Sequence, residues 1–203
     1  MSSATKSAAS PRNLWLLVGA QALGGATPPI IISTAGLVGQ DLIGSNLATL
    51  PVSLYNLGLA LSVIPAAMLM RFMGRRPTYS FAALIAVVSG ILATYAILKP
   101  QPSFVLFCIA MGVAGFYAAC VQNYRFAAAD SVNAEQRPKA ISRIMLGGLA
   151  AAIIGPQVAI YGGRIWADTS PYAGSFLGLS FLALLALPLL LMLKLPSKQF
   201  EQD

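Results

Sequence analysis

Apolar residues fill this chain in six long blocks, separated by short polar or charged interruptions. The blocks run Asn13–Gly39, Leu47–Met70, Tyr79–Leu98, Phe104–Ala127, Ile141–Trp166 and Tyr172–Leu195. A helix rises about 1.5 Å per residue, so about 20 residues cross a hydrocarbon core of about 30 Å. Each block meets that length and predicts one membrane-spanning helix. The interruptions, Gln40–Ser45, Arg71–Arg76, Lys99–Ser103, Asp130–Lys139 and Ala167–Pro171, are too short to fold as separate domains. The expected architecture is all-α and polytopic. A disordered cytoplasmic tail occupies 1–12, a six-helix transmembrane bundle 13–195 and a polar cytoplasmic tail 196–203.

The first block imitates a cleaved signal peptide, with Lys6 and Arg12 ahead of it and Ala20-Gln21-Ala22 as a small-residue cleavage site. Its apolar run continues to Gly39, however, and the alternation of the later loops works only if this span is retained.

The blocks differ in polarity. The third and sixth carry almost nothing that needs a hydrogen bond, which suits a lipid-facing periphery, with Gly174 at the start of the sixth expected to tolerate bulk. The other four carry Gln21, Thr27, Tyr55, Asn56, Tyr117, Gln122, Asn123 and Gln157. Amides and hydroxyls in a bilayer are costly without partners, so they face other helices or a wet cavity. Interhelical hydrogen bonding alone explains any one of them, at about 0.6 kcal/mol each. Their segregation into four blocks out of six favours a lined pathway. Gln21, Thr27, Tyr55, Asn56, Tyr117, Gln122 and Gln157 are the candidate pathway residues.

Two sequence features predict irregular helices. Gly24-Gly25-Ala26-Thr27-Pro28-Pro29 lies mid-way along the first block, and its successive prolines remove two backbone donors. Broken helices at membrane depth are tolerated where protein or water re-satisfies the backbone, and they mark binding sites in transporters. In the fifth block Gly147, Ala151, Gly155, Ala159 and Gly163 repeat every four residues, a ridge that lets a neighbouring backbone approach, with Pro156 predicting a kink.

Charge orients the bundle. Of the thirteen Lys and Arg, only Lys99 and Arg164 fall on the side opposite the other eleven, which places both termini in the cytoplasm by the positive-inside rule. Charged residues make up 9% and hydrophobic residues 57%, far from the values of soluble domains. The net charge of +7 sits at membrane edges rather than in one stripe, so it implies no nucleic-acid partner. No histidine occurs, and nucleophile, base and orienter are nowhere brought together, which argues against an enzyme. No cofactor motif or metal site emerges. Cys108 and Cys120 are twelve positions apart in one block, about 18 Å along a helix, too far for a disulfide within it. Met68, Met70, Met73 and Met111 read as core filling.

The connection after the second block reads Ala67-Met-Leu-Met-Arg-Phe-Met-Gly-Arg-Arg76. It resembles the G-x-L-x-D-R-x-G-R-R loop of the major facilitator superfamily (MFS). Leu69, Gly74, Arg75 and Arg76 match, while Ala67, Arg71 and Phe72 depart from the Gly, Asp and Arg of the pattern. Gly147 followed by Gly155-Pro156-Gln-Val-Ala159 is similar to that family's Gly/Pro antiporter motif, with Ala159 replacing a Gly. Leu57-Gly58 through Pro65 also echoes Leu146-Gly147 through Pro156, in helices that run in opposite directions. The resemblance implies one six-helix half of an MFS transporter, built as a 3+3 inverted repeat, with Leu69, Gly74, Arg75 and Arg76 in a gating loop.

Three further segments, starting at Gln21, Leu50 and Gln122, are similar to the CcoA-like branch, associated with copper and riboflavin uptake. The resemblance implies a riboflavin-like organic solute or copper as substrate, and that branch's copper-linked Met and His motifs belong to its C-terminal half. A planar organic solute would instead find Tyr55, Asn56, Phe116, Tyr117 and Gln122. Asp41, Asp130, Glu135 and Asp168 all lie near loops, so the bundle offers no mid-membrane acid for proton coupling.

The resemblance implies an inner-membrane transporter working by alternating access, with lipid, a small solute and either a parallel second copy or a separate second half as partners. A non-transporting scaffold or assembly factor, or an inactive truncated transporter, uses the same small-residue faces and stays open as the alternative.

Overall fold

The structure, a computed structural model, describes residues 11–44, 47–165, 170 and 172–193. The chain is helical: α1 Pro11–Gly24, α2 Thr27–Ile43, α3 Leu50–Phe72, α4 Arg75–Leu98, α5 Phe104–Gln122, α6 Tyr124–Asp130, a 3-10 turn Ala134–Gln136, α7 Arg137–Ile165 and α8 Ala173–Leu191. Six spans long and apolar enough to cross a membrane result, because α1 with α2 and α5 with α6 each form one span. The first span starts at Pro11, where a proline's missing N–H costs nothing in the first turn, so Arg12 is helical rather than part of a tail. The remainder of the two expected tails lies outside the described residues, as do Trp166 and Asp168.

The helix interruptions have local causes. Between α1 and α2 the ladder switches from Gly25 N–H to the Gln21 carbonyl at 2.8 Å to Ala26 N–H to the Leu23 carbonyl at 3.3 Å. Pro28 and Pro29 then occupy the first turn of α2, so the carbonyls of Gly24 and Gly25 have no donor four residues on. Between α5 and α6, the Asn123 side-chain amide donates to the Ala119 carbonyl at 2.8 Å, competing with the backbone ladder. Pro65 and Pro156 are both accommodated inside longer helices.

Most of the main helix contacts obey the inverted repeat, although the fifth span lies far more heavily on the sixth than the second does on the third. The second span lies on the fourth (α3 on α5), the fifth on the first (α7 on α1), the third on both fourth and sixth, and the sixth on the first. Exchanging spans one to three with spans four to six maps each of these contacts onto another, or onto itself. Glycine makes the equivalent approaches: Gly58 and Gly115 bring α3 and α5 backbones together, as Gly147 brings α7 against the Val18 carbonyl of α1.

The third and sixth spans do not fit the purely apolar role expected of them. Their outer faces are exposed, with Leu84, Val88, Ile91 and Phe181 outward, but their inner faces hold the interhelical hydrogen bonds. Ser89 Oγ donates to the Ala110 carbonyl at 2.7 Å, Thr94 Oγ1 to that of Ala173 at 3.2 Å, Ser175 Oγ to that of Ala159 at 2.8 Å and Ser180 Oγ to that of Val87 at 2.9 Å. Each uses the second lone pair of a carbonyl that a helix leaves free. Gly174 is correspondingly no lipid-facing position: its backbone meets that of Gly162, and a side chain there would strike it.

Candidate functional site

The break in the first span is held on two sides. On one, Gly24 abuts the Tyr117 ring of α5: a Cβ on Gly24 would lie 2.6 Å from the tyrosine oxygen and 2.9 Å from Val121 Cγ2. On the other, the small residues of α7 fit the bend. A Cβ on Gly147 would meet the Val18 carbonyl at 2.5 Å and Gln21 Cβ at 3.1 Å, and one on Gly155 would meet Pro29 Cβ at 2.6 Å and the Ala26 carbonyl at 3.0 Å. Ala151 Cβ stands 3.1 Å from where a Cβ on Gly25 would be.

Gly147, Ala151, Gly155 and Ala159 are buried and Pro156 is half-buried, but Gly163 is only partly covered. The last close approach is made by Gly162, whose Cβ would lie 2.7 Å from the Gly174 carbonyl carbon. A strict four-residue step drifts about 40° around a helix of 3.6 residues per turn, and the three-residue step from Ala159 to Gly162 restores the face.

The candidate pathway residues divide into two sets. Gln21 is half-buried beside the break, Thr27 is buried in the first turn of α2, and Tyr55 and Tyr117 are fully buried. Asn56, Gln122 and Gln157 are exposed, and Asn56 Nδ2 donates to its own Val52 carbonyl at 3.0 Å. Phe116 turns away, packing edge-to-face on Phe81 at 6.3 Å. Of the sulfur side chains, Met111, Cys108 and Cys120 are buried, the cysteines as free thiols, while Met68 of α3 and Met73 just past its end are exposed.

The buried tyrosines were not all legible. Among the described residues the buried hydroxyls of Tyr55, Tyr117 and Tyr124 have no hydrogen-bond partner. Tyr124 also stacks edge-to-face on Tyr79, with centroids 4.8 Å apart. The sequence signal for Tyr124 is its place about two turns after Tyr117, which puts it on nearly the same helix face.

At the arginine-rich end, Gly74 joins α3 to α4 with φ +88°, a conformation that favours glycine, and Leu69 is half-buried with its carbonyl accepting from Met73 N–H at 2.9 Å. Arg75 Nη2 donates to Asp130 Oδ2 at 2.6 Å, across from the end of α6. The acid that the loop pattern lacks at Arg71 is thus supplied to Arg75 by another span. Arg76 is exposed.

The family model of the Major Facilitator Superfamily matches residues 8–202. The chain belongs to the Major Facilitator Superfamily. A riboflavin transporter of Brucella anthropi, RfnT, is 50% identical over 196 residues, which cover 95% of this chain and 48% of that protein. Two MFS-type transporters of Bacillus subtilis with no described activity, YddS and YdeG, are 28% and 29% identical over 148 residues, 72% of this chain and 34% of each relative. The chain therefore spans about half the length of RfnT and about a third of the other two. This MFS membership, with six membrane-spanning helices, makes the chain a multi-pass membrane protein and points to a transporter rather than an enzyme.

Proposed function

We propose that this chain supplies one six-span half of a transporter that moves a small, planar, flavin-like solute by alternating access. The observation carrying this reading is the exposure of Asn56, Gln122 and Gln157 within the second, fourth and fifth spans. An amide facing hydrocarbon is costly, so these surfaces need water, solute or a partner. The third and sixth spans, which present no amide outward, face lipid.

The second six-span unit belongs against α3 and α7. Of the most apolar stretch in each span, 61% is buried in the fourth but only 11% in the second and 28% in the fifth. Leu57, Leu61, Ile64 and Met68 form one exposed stripe on α3, and Leu149, Ile153, Gln157 and Ile160 form another on α7. A parallel second copy or a separate half would cover both while keeping one orientation. The solute would sit by the break in the first span, with Gln21 and Thr27 of that span, Tyr55 of α3 and Tyr117 of α5 as its candidate contacts. Leu69, Gly74, Arg75 and Arg76 act as the gating loop, and the eleven-to-two split of basic residues sets both termini on the cytoplasmic face of the plasma membrane. The flavin class rests on the likeness to RfnT.

The test is uptake of labelled riboflavin by a riboflavin-requiring bacterium lacking its own importer, with the chain expressed alone and with a second six-span unit. Uptake that needs the second unit, and falls with Asn56→Leu or Gln157→Leu, supports the reading. Membrane insertion with no flavin uptake or flavin binding in any pairing would instead favour a scaffold held to partners through the same stripes.

A further inference from the structure

We infer that the groove between the third and sixth spans, at the arginine-rich end of the bundle, seats an anionic phospholipid, with one acyl chain in the groove and its phosphate on Arg76. The groove encloses about 450 Å³ and is lined by Arg76, Pro77, Ser80, Phe81, Leu84 and Leu191. Phe81 and Leu84 of α4 and Leu191 of α8 are each about half exposed, at 50%, 48% and 45%, so the groove opens sideways onto the lipid-facing side of the bundle.

Its polar groups are unequal. Ser80 Oγ donates to the Arg76 carbonyl at 3.1 Å and is buried, so it is already satisfied. Arg75, next in sequence, is neutralised by Asp130 at 2.6 Å. Arg76 is exposed and, among the described residues, its guanidinium has neither an ion pair nor a hydrogen-bond partner. The groove thus presents one uncompensated cation at the mouth of an apolar slot, at the level where α4 begins and headgroups lie. A soluble anion would match the charge but not the slot; a neutral lipid would match the slot but not the charge. A planar guanidinium takes a phosphate through two parallel hydrogen bonds, and basic pockets between membrane helices hold anionic headgroups in this way. The seat shares Arg76 with the proposed gating loop, but its geometry does not rest on transport and a scaffold would present it as well.

The experiment is native mass spectrometry of the full chain, released from detergent micelles doped with equal phosphatidylglycerol and phosphatidylcholine of identical acyl chains. Wild-type protein should retain phosphatidylglycerol in preference, and Arg76→Gln should lower that preference about fivefold, the factor for about 1 kcal/mol per basic residue near a lipid surface. Lys139→Gln, which removes an exposed charge at the same end, should leave it unchanged. Leu84→Trp should lower retention of both lipids by filling the slot. Excess inorganic phosphate should not displace the lipid. Equal retention of the two lipids by wild-type protein, which requires no variant to fold, would overturn the inference. So would an unchanged preference in Arg76→Gln that elutes as a folded species, an equal loss in Lys139→Gln, or displacement by phosphate alone.

Discussion

Arg75 and Asp130, fifty-five residues apart in sequence, form a charge-assisted hydrogen bond of 2.6 Å that ties the start of the third span to the end of the fourth. Both side chains are about a third exposed, so water screens the pair and its contribution to stability is small, about 0–1 kcal/mol. Its value is positional: it holds the Gly74 turn against α6. Asp130→Asn and Arg75→Gln should each change the melting temperature little, and a double-mutant cycle should give a coupling of about 0.2–1 kcal/mol. The same single changes should speed thiol labelling of a cysteine placed at Met73. Unaltered labelling would remove any restraining role for the pair.

The ridge on α7 predicts a sharp contrast between neighbouring glycines. Gly155→Leu forces a side chain into Pro29 and the Ala26 carbonyl, whereas Gly148 has open space around it. Overpacking costs about 1–3 kcal/mol or more. Folded yield of Gly155→Leu should drop sharply, while Gly148→Leu should purify like the parent. Gly174→Leu should fail with Gly155→Leu, since Gly174 meets Gly162. Size-exclusion profiles of the three variants check this, and equal behaviour would show that the ridge carries no close packing.

Hydroxyls in this bundle should divide into useful and idle. Tyr55→Phe removes a hydroxyl that bonds nothing among the described residues, so its melting temperature should be unchanged or slightly raised. Ser89→Ala removes the 2.7 Å bond to the Ala110 carbonyl and should destabilise by about 0.6 kcal/mol. Thermal melting in one detergent compares them. A greater loss for Tyr55→Phe would mean that its oxygen has a polar partner in the membrane.

Orientation is open to direct labelling. Single cysteines at Gly74 and Ala134 should react only from the cytoplasmic face and one at Gln101 only from the opposite face. Each arginine or lysine forced to the bilayer centre costs about 2.5–3.5 kcal/mol, so the eleven basic residues on one side resist inversion. Outside labelling at Gly74 would refute the six-span topology.

A cysteine at Leu61 or Ile153, on the exposed stripes of α3 and α7, should give a cross-linked species of at least twice the chain mass in native membranes. A cysteine at Val88, on the lipid-facing side of α4, should not. Equal cross-linking from both positions would indicate random collision.

Much of this protein follows from one-dimensional pattern. Length and apolarity alone fix six spans, because a bilayer leaves the backbone no alternative to helices, and the Pro28-Pro29 pair and the loop Gly74 impose a break and a turn through local covalent geometry. What tertiary structure decided is direction around each helix axis. Ser89, Thr94, Ser175 and Ser180 look negligible in apolar sequence, yet their hydroxyls reach across helix pairs, because a short donor needs only one nearby carbonyl. Phe116 and Tyr117 are neighbours in sequence, but a helix separates adjacent side chains by about 100°, so one meets Phe81 and the other Gly24. Arg75 and Arg76 read identically until folding brings Asp130 to one and leaves an apolar groove beside the other. Sequence sets which residues enter the membrane; only the packing of six helices sets what each of them faces.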